Sequence, residues 1–243
     1  MPAAPALPVY SIVIPVMNEA GNILPLTAAI TATMRSVAAY EVIFVDDGSR
    51  DTTVAEILQA RARNPAVRLL RLAENRGKSF ALRAGIEATH GAWIVTIDGD
   101  GQNPPSEIVK LIDAVPDLTT QHLIVAVRER RQDTKARLYA SRLANKIRRA
   151  ILDDDSPDSG CGLKLFPRTA YLRLPYFENM HRYFPNLFKL YGINSIYVPV
   201  AHAPRTVGQS KYTNWGRALA GLYDLIGMRW LMHRTRLTRA WEE

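Results

Sequence analysis

Through the first hundred positions, apolar residues come in short unbroken runs rather than at helical intervals. Tyr10-Ser-Ile-Val-Ile-Pro15, Glu41-Val-Ile-Phe-Val-Asp46, the run 67–72 and the run 92–98 each read as a strand. Between them, the stretches up to about Met34, from Thr53 to about Arg63 and from Lys78 to Ala88 carry helical spacing. Strands alternating with helices of this length imply parallel βαβ units, hence an α/β protein. Strands that are apolar on both faces imply helices on both sides of the sheet, a three-layer sandwich.

The second half is less regular. A short helix is expected over 106–114, a strand over 123–127, a helix within the basic segment 133–152, a strand over 163–166 and a last strand over 196–200. A polar loop follows over 202–212, then a helix with a broad apolar face over 215–232. Without a linker in view, residues 1–212 form one domain and 213–243 a C-terminal amphipathic helix and tail.

The fourth strand ends in Asp98-Gly99-Asp100-Gly101-Gln102-Asn103-Pro104-Pro105. Two carboxylates one residue apart, followed by the Gln102 amide oxygen, are hard donors suited to Mg²⁺ or Mn²⁺ completed by phosphate and water. An acidic turn would use the same residues. The second strand also ends in two acids, Asp46-Asp47-Gly48-Ser49. In a parallel sheet both pairs lie along one edge, where α/β proteins bind ligands. Asn75-Arg76-Gly77-Lys78-Ser79 ends like a phosphate-binding P-loop, but Leu72 stands where that pattern needs glycine. No Gly-x-Gly-x-x-Gly follows the first strand, which argues against a dinucleotide site.

Composition narrows the partners. The 243 residues are 47% hydrophobic and 22% charged, with a net charge of +8. That excess implies an anionic partner: a phosphate-bearing substrate, anionic lipid or nucleic acid. Much of it is concentrated in 128–149, with a second group (Arg217, Arg229, Arg234, Arg236, Arg239) along the C-terminal apolar stretch. No nucleic-acid recognition module is apparent, so nucleic acid is not an expected partner. A single cysteine, Cys161, excludes an internal disulfide and reads as a small buried hydrophobe. No signal peptide and no apolar run of about 20 residues is seen, so a cytoplasmic protein without a membrane span is expected.

Taken together, Val13-Ile-Pro-Val-Met-Asn-Glu19, Val45-Asp-Asp-Gly-Ser49, Asn75-Arg-Gly-Lys78, Asp98-Gly-Asp-Gly-Gln102, Arg137 with Ser141 and Asn145, Asp158-Ser-Gly160, and Arg205 with Gly208-Gln-Ser-Lys-Tyr212 resemble family 2 glycosyltransferases. The likeness is to the polyprenyl-phosphate sugar transferases of the dolichyl-phosphate mannose synthase type. It implies the GT-A fold, a Rossmann-like three-layer αβα sandwich with a mostly parallel sheet. It also implies metal-dependent, inverting transfer of a sugar from GDP-mannose or a UDP-sugar to a polyprenyl phosphate.

By the same resemblance, Asp98, Asp100 and Gln102 hold the Mg²⁺ or Mn²⁺, and Asp100 and Asp158 are the catalytic acids. Pro15, Asn18, Glu19, Asp47, Lys78, Asp98, Arg205, Ser210 and Lys211 take the nucleotide sugar. Arg128 and Arg137 receive the acceptor phosphate. Met17 stands where relatives commonly carry an aromatic residue. Processive synthases of the superfamily carry Gln-x-x-Arg-Trp; here Arg229-Trp230 is preceded by Ile226 at the glutamine position. The C-terminal helix, with its arginines and tryptophans, suits the cytoplasmic membrane interface. A soluble transferase with another acceptor, an aspartate-dependent phosphohydrolase and a basic binding module are the alternatives the residues leave open.

Overall fold

The computed structural model describes residues 8–117, 119–129, 148, 150–152, 156–158, 160–203 and 214–235. Its strands are β1 (Tyr10–Val16), β2 (Tyr40–Asp46), β3 (Val67–Arg71), β4 (Trp93–Thr96), β5 (Leu123–Arg128), β6 (Lys164–Pro167) and β7 (Ser195–Val200). Its helices are α1 (Ile23–Met34), α2 (Thr53–Arg63), α3 (Lys78–Glu87), α4 (Glu107–Asp113), α5 (Arg168–Leu172), α6 (Phe184–Leu190) and α7 (Asn214–Arg234). The strands form one sheet in the order β3-β2-β1-β4-β6-β5-β7. Only β6 runs antiparallel to its neighbours. The expected α/β sandwich with a mostly parallel sheet is thus present.

Alternation along the strands divides the core in two. Ile12, Ile14, Val42 and Phe44 pack with α1, α2 and α4 on one face, and Val13, Ile43 and Val45 pack with α3, α5, α6 and α7 on the other. Helix α3 lies unusually close to the sheet. A Cβ on Gly85 would sit 2.6 Å from Val13 Cγ1 and 2.7 Å from Val45 Cγ2. That approach sets where the first residue of α3, Lys78, reaches the sheet edge.

Proline inside a central strand is ordinarily excluded because it cannot donate to the ladder. Pro15 escapes this cost because β1 and β4 part company before it. Their register runs from Tyr10↔Trp93 to Val13↔Thr96, and the amide of Ile97 donates to Val13 O at 3.3 Å. Two residues on, the Pro15 nitrogen points the same way, beyond the end of β4. The order in which strands are added also reverses here, since β2 lies on one side of β1 and β4 on the other. The crevice therefore opens where an α/β sheet binds its ligand.

Patterning assigns no element between 167 and 195, yet the structure places α5, a 3₁₀ turn (Met180–Arg182) and α6 there. They form around an aromatic cluster: Phe166 stacks on Tyr171 at 5.4 Å, and Phe184 meets both rings edge-on. These aromatic contacts join residues far apart in sequence, so no local period announces them. Of the expected helix at 133–152, residues 148 and 150–152 are described and are helical, while the rest of it and the division at 212/213 fall outside the described residues.

Candidate active site

Asp98 follows β4 and forms an ion pair with Lys78 at the start of α3. Two further cations act on it, Lys164 from β6 and Arg128 from the end of β5. Burial works to raise the Asp98 carboxyl, but Lys78, Lys164 and Arg128 together hold it below its ordinary range. Lys164 is itself 3% exposed and donates to Cys161 O, with its ammonium 5.8 Å from the Phe184 ring centre. Burial depresses its pKa to about 8. Four elements thus deliver one acid and three bases to one point on the sheet edge.

The backbone leaves room for this cluster at Gly162. A Cβ there would lie 2.4 Å from Cγ, Oδ1 and Oδ2 of Asp98, so any side chain would collide with the carboxylate. Thr96 Oγ1 donates to Gly162 O at 2.8 Å and keeps the two strands in this arrangement. Asp100 lies on the following turn, where Gln102 N donates to Asp100 Oδ1 at 3.2 Å. Gln102 O accepts from Ala203 N at 2.9 Å, tying the turn to the segment after β7.

Arg128 and Asp158 meet directly. Arg128 Nε reaches Asp158 Oδ2 at 2.7 Å and Nη2 reaches Oδ1 at 2.9 Å, a two-pronged pair that is largely buried. The catalytic acid and one of the acceptor-phosphate arginines expected from sequence are therefore partners of each other.

Beside this cluster, a cleft of about 550 Å³ is lined by Met17, Asn18, Gly48, Arg50, Ala73, Glu74 and Asn75. Its walls are loops tied together by hydrogen bonds through side chains. Asn18 N donates to Ser49 Oγ at 2.9 Å, and Arg50 N donates to Asn18 Oδ1 at 2.7 Å. Glu19 N donates to Thr53 Oγ1 at 2.8 Å. Asn75 Nδ2 donates to Met17 Sδ at 2.7 Å and to Asp47 O at 3.2 Å. Asp47 spends its carboxylate on this framework, accepting from Arg76 N at 2.7 Å and Gly77 N at 2.9 Å. Burial raises its pKa even though both amides favour the anion. Of the nucleotide-pocket residues expected from sequence, Asn18 lines the cleft, while Asp47 braces the loop that carries Asn75.

Sequence reasoning brought Asp98, Lys78, Arg128 and Asp158 to the page but not what surrounds them. It did not single out Lys164, because a lysine within Gly162-Leu-Lys-Leu-Phe166 looks like the polar half of an alternating strand. Nor does the sequence around Gly162 show which side chain the glycine faces. His181 was not singled out either; its Nδ1 lies 2.7 Å from Ser79 Oγ, and burial, then Lys78, Arg182 and Lys164, hold its pKa well below the usual value. Arg137, Arg205, Ser210 and Lys211 lie outside the described residues.

Among the described residues, no three His, Cys, Asp or Glu side chains converge as a ready-made metal cage. The donors present still fit a hard divalent ion. Asp98, Asp100 and Gln102 offer oxygens within five residues, and Gly162 keeps one face of the Asp98 carboxylate clear. Such a set requires other oxygens, such as those of a substrate phosphate or water, to complete the shell.

Residues 11–175 match the family described as Glycosyl transferase family 2. Over 219 residues the chain is 33% identical to undecaprenyl-phosphate 4-deoxy-4-formamido-L-arabinose transferase of Edwardsiella ictaluri (strain 93-146), covering 89% of this chain and 66% of that protein. It is 34% identical over 219 residues to the protein of the same name from Pseudomonas paraeruginosa (strain DSM 24068 / PA7), covering 89% and 63%. The chain therefore spans a little under two thirds of the length of these relatives.

Its fold is shared with mannosyl-3-phosphoglycerate synthase from Rubrobacter xylanophilus, at a TM-score of 0.69 and 16% identity over 97% of this chain and 77% of that one. It is shared also with mannosyltransferase PcManGT from Pyrobaculum calidifontis, solved in complex with GDP-Man and Mn²⁺, at 0.62 and 18% over 95% and 71%. With the family matched across most of the sheet and the fold common to glycosyltransferase structures, the chain belongs to glycosyl transferase family 2.

Proposed function

We propose that this protein transfers one sugar from a nucleotide-sugar donor, GDP-mannose or a UDP-sugar, to a polyprenyl phosphate, with inversion at the anomeric carbon. The observation that carries this reading is the cluster at the end of β4. Asp98 stands there among Lys78, Lys164 and the Arg128–Asp158 pair, beside the 550 Å³ cleft. The relatives named for undecaprenyl phosphate support a lipid phosphate as acceptor.

In this reading the nucleoside lies in the cleft near Pro15, Asn18, Glu19 and the loop braced by Asp47. The diphosphate lies toward Lys78, with Arg205, Ser210 and Lys211 closing on it. Asp98, Asp100 and Gln102 would hold Mg²⁺ or Mn²⁺, which when bound would supply positive charge to the leaving diphosphate. Arg128 and Arg137 receive the acceptor phosphate. A phosphate monoester is already anionic near neutral pH, so attack needs no strong general base. Asp158 then acts by placing the Arg128 guanidinium. Attack from the side opposite the leaving diphosphate inverts the centre.

Helix α7 supports peripheral work at the cytoplasmic face of a membrane. Its Leu225, Met228, Leu231 and Met232 pack on the protein, while Tyr223, Ile226 and Trp230 are 81%, 62% and 61% exposed. Those three recur at i, i+3 and i+7, one face of the helix, flanked by Arg229 and Arg234. No helix among the described residues is long and apolar enough to cross a membrane.

The test is a radiolabelled transfer assay offering several nucleotide sugars to polyprenyl phosphate, with and without Mn²⁺ or Mg²⁺, for wild type and Asp100→Ala. A labelled lipid that needs metal and disappears in the variant is expected. Transfer only to a hydroxyl acceptor would replace the lipid-phosphate reading.

A further inference from the structure

The carboxylate most exposed to demand at this site already has a cation. Asp98 is ion-paired with Lys78, and Lys164 and Arg128 act on it as well. Arg128 is in turn paired with Asp158. Asp98 and Asp158 are thus each balanced by a cation before any ligand arrives, with Lys164 acting on Asp98 as a further positive charge. Adding a divalent ion to that balance is opposed by the same charges that would hold a diphosphate. A divalent ion together with a diphosphate restores it.

We propose that Lys78 is a stand-in counter-ion that must leave Asp98 before a divalent cation is held there, and that the donor diphosphate draws it off. This rests on the glycosyl-transfer reading above and adds an order of events to it: metal and nucleotide are held together, not metal first. Lys78 is suited to the exchange. It is the first residue of α3, next to Gly77 with φ +82°, and its ammonium ends a flexible four-carbon stem. Lys164 is not suited, since it is buried and fixed on Cys161 O. The two lysines divide the work: Lys164 is a permanent neighbour of Asp98 and Lys78 an exchangeable one. Linkage makes the coupling reciprocal, so the factor by which nucleotide tightens metal is the factor by which metal tightens nucleotide.

Two binding measurements on the full chain test this. Mn²⁺ bound in the absence of nucleotide is counted from the paramagnetic resonance signal of the free ion, for wild type, Lys78→Met, Lys78→Arg and the double variant Lys78→Met/Asp98→Asn. Radiolabelled UDP and GDP binding is then measured by equilibrium dialysis with and without Mn²⁺. Lys78→Met is expected to bind Mn²⁺ alone about tenfold or more tightly than wild type. Lys78→Arg should behave as wild type, and the double variant should lose the gain. The nucleotide that wild type binds in Mn²⁺ should bind Lys78→Met about tenfold more weakly. A gain in one ligand with a loss in the other does not arise from general damage to the fold. Unchanged or weaker Mn²⁺ binding in Lys78→Met, with nucleotide still bound by wild type, would overturn the counter-ion role alone. Failure of wild type to bind either nucleotide in Mn²⁺ would overturn the glycosyl-transfer reading with it.

Discussion

Arg128 grips Asp158 with both prongs of its guanidinium, at 2.7 and 2.9 Å, and so fastens the end of β5 to the turn that carries Gly162. The geometry is one that only arginine supplies; lysine offers a point charge. Arg128→Lys is therefore expected to keep the charge yet lower kcat/KM for lipid-phosphate transfer by about ten- to a hundredfold. Arg128→Ala leaves Asp158 buried without this partner and should cost roughly 3 kcal/mol in urea unfolding. The double variant Arg128→Ala/Asp158→Asn should cost much less in total than the sum of the two single changes. Additive effects would show that the pair is not a unit.

Gly162→Ala tests the clearance around Asp98. The added methyl would meet the carboxylate at 2.4 Å, so either Asp98 or β6 must shift. Overpacking of this kind costs about 1–3 kcal/mol in stability. A displaced Asp98 should also lower transfer about a hundredfold or more, because positioning errors near 1 Å are that costly. Wild-type turnover in this variant would mean that Asp98 is not held where chemistry needs it.

Lys164 gives the protein a signature in alkali. Its pKa in the folded chain is about 8, against an ordinary value of 10.5. Below about 8 the lysine is charged in both states, and folding bears the full cost of burying the charge, roughly 3 kcal/mol. Between the two values the unfolded chain binds a proton that the folded chain does not, so this contribution makes stability rise with pH across that window. Lys164→Met should be more stable than wild type at pH 7 and should lose the rise. Urea unfolding of both proteins at pH 7 and pH 10 measures it, and parallel behaviour would assign the titration elsewhere.

The outward face of α7 makes a separable prediction. Ile226→Glu and Trp230→Glu place charge on a stripe that is largely exposed among the described residues, so stability should change by no more than about 0.5 kcal/mol. Cosedimentation with vesicles containing anionic lipid should fall severalfold, while transfer to a short-chain, water-soluble acceptor phosphate is retained. Undiminished vesicle binding would remove this face from the membrane contact.

Much of the molecule is decided by its sequence because the deciding forces are local. Continuous apolar runs that end in Asp46 and Asp98 determine parallel strands with acids at their carboxyl ends. Parallel connection then forces both ends to one edge, so the crevice and its candidate acids follow from periodicity and topology alone. Lys78, which opens α3, and Asp100, in the turn after β4, are legible for the same reason, whereas Asn18 enters only through the family resemblance. The tertiary structure alone decided who meets whom. Lys164 faces Asp98 only because β6 inserts antiparallel between β4 and β5. Arg128 and Asp158, thirty residues apart, become one pair only when β5 and the turn before β6 are brought together. Asp47, an acid with every local mark of a ligand, turned out to spend both oxygens on the amides of Arg76 and Gly77. The 166–188 aromatic cluster likewise has no period to read. Propensity and hydrophobic period act over a few residues, whereas charge pairing and close packing act across space, and at this site the latter choose each acid's partner.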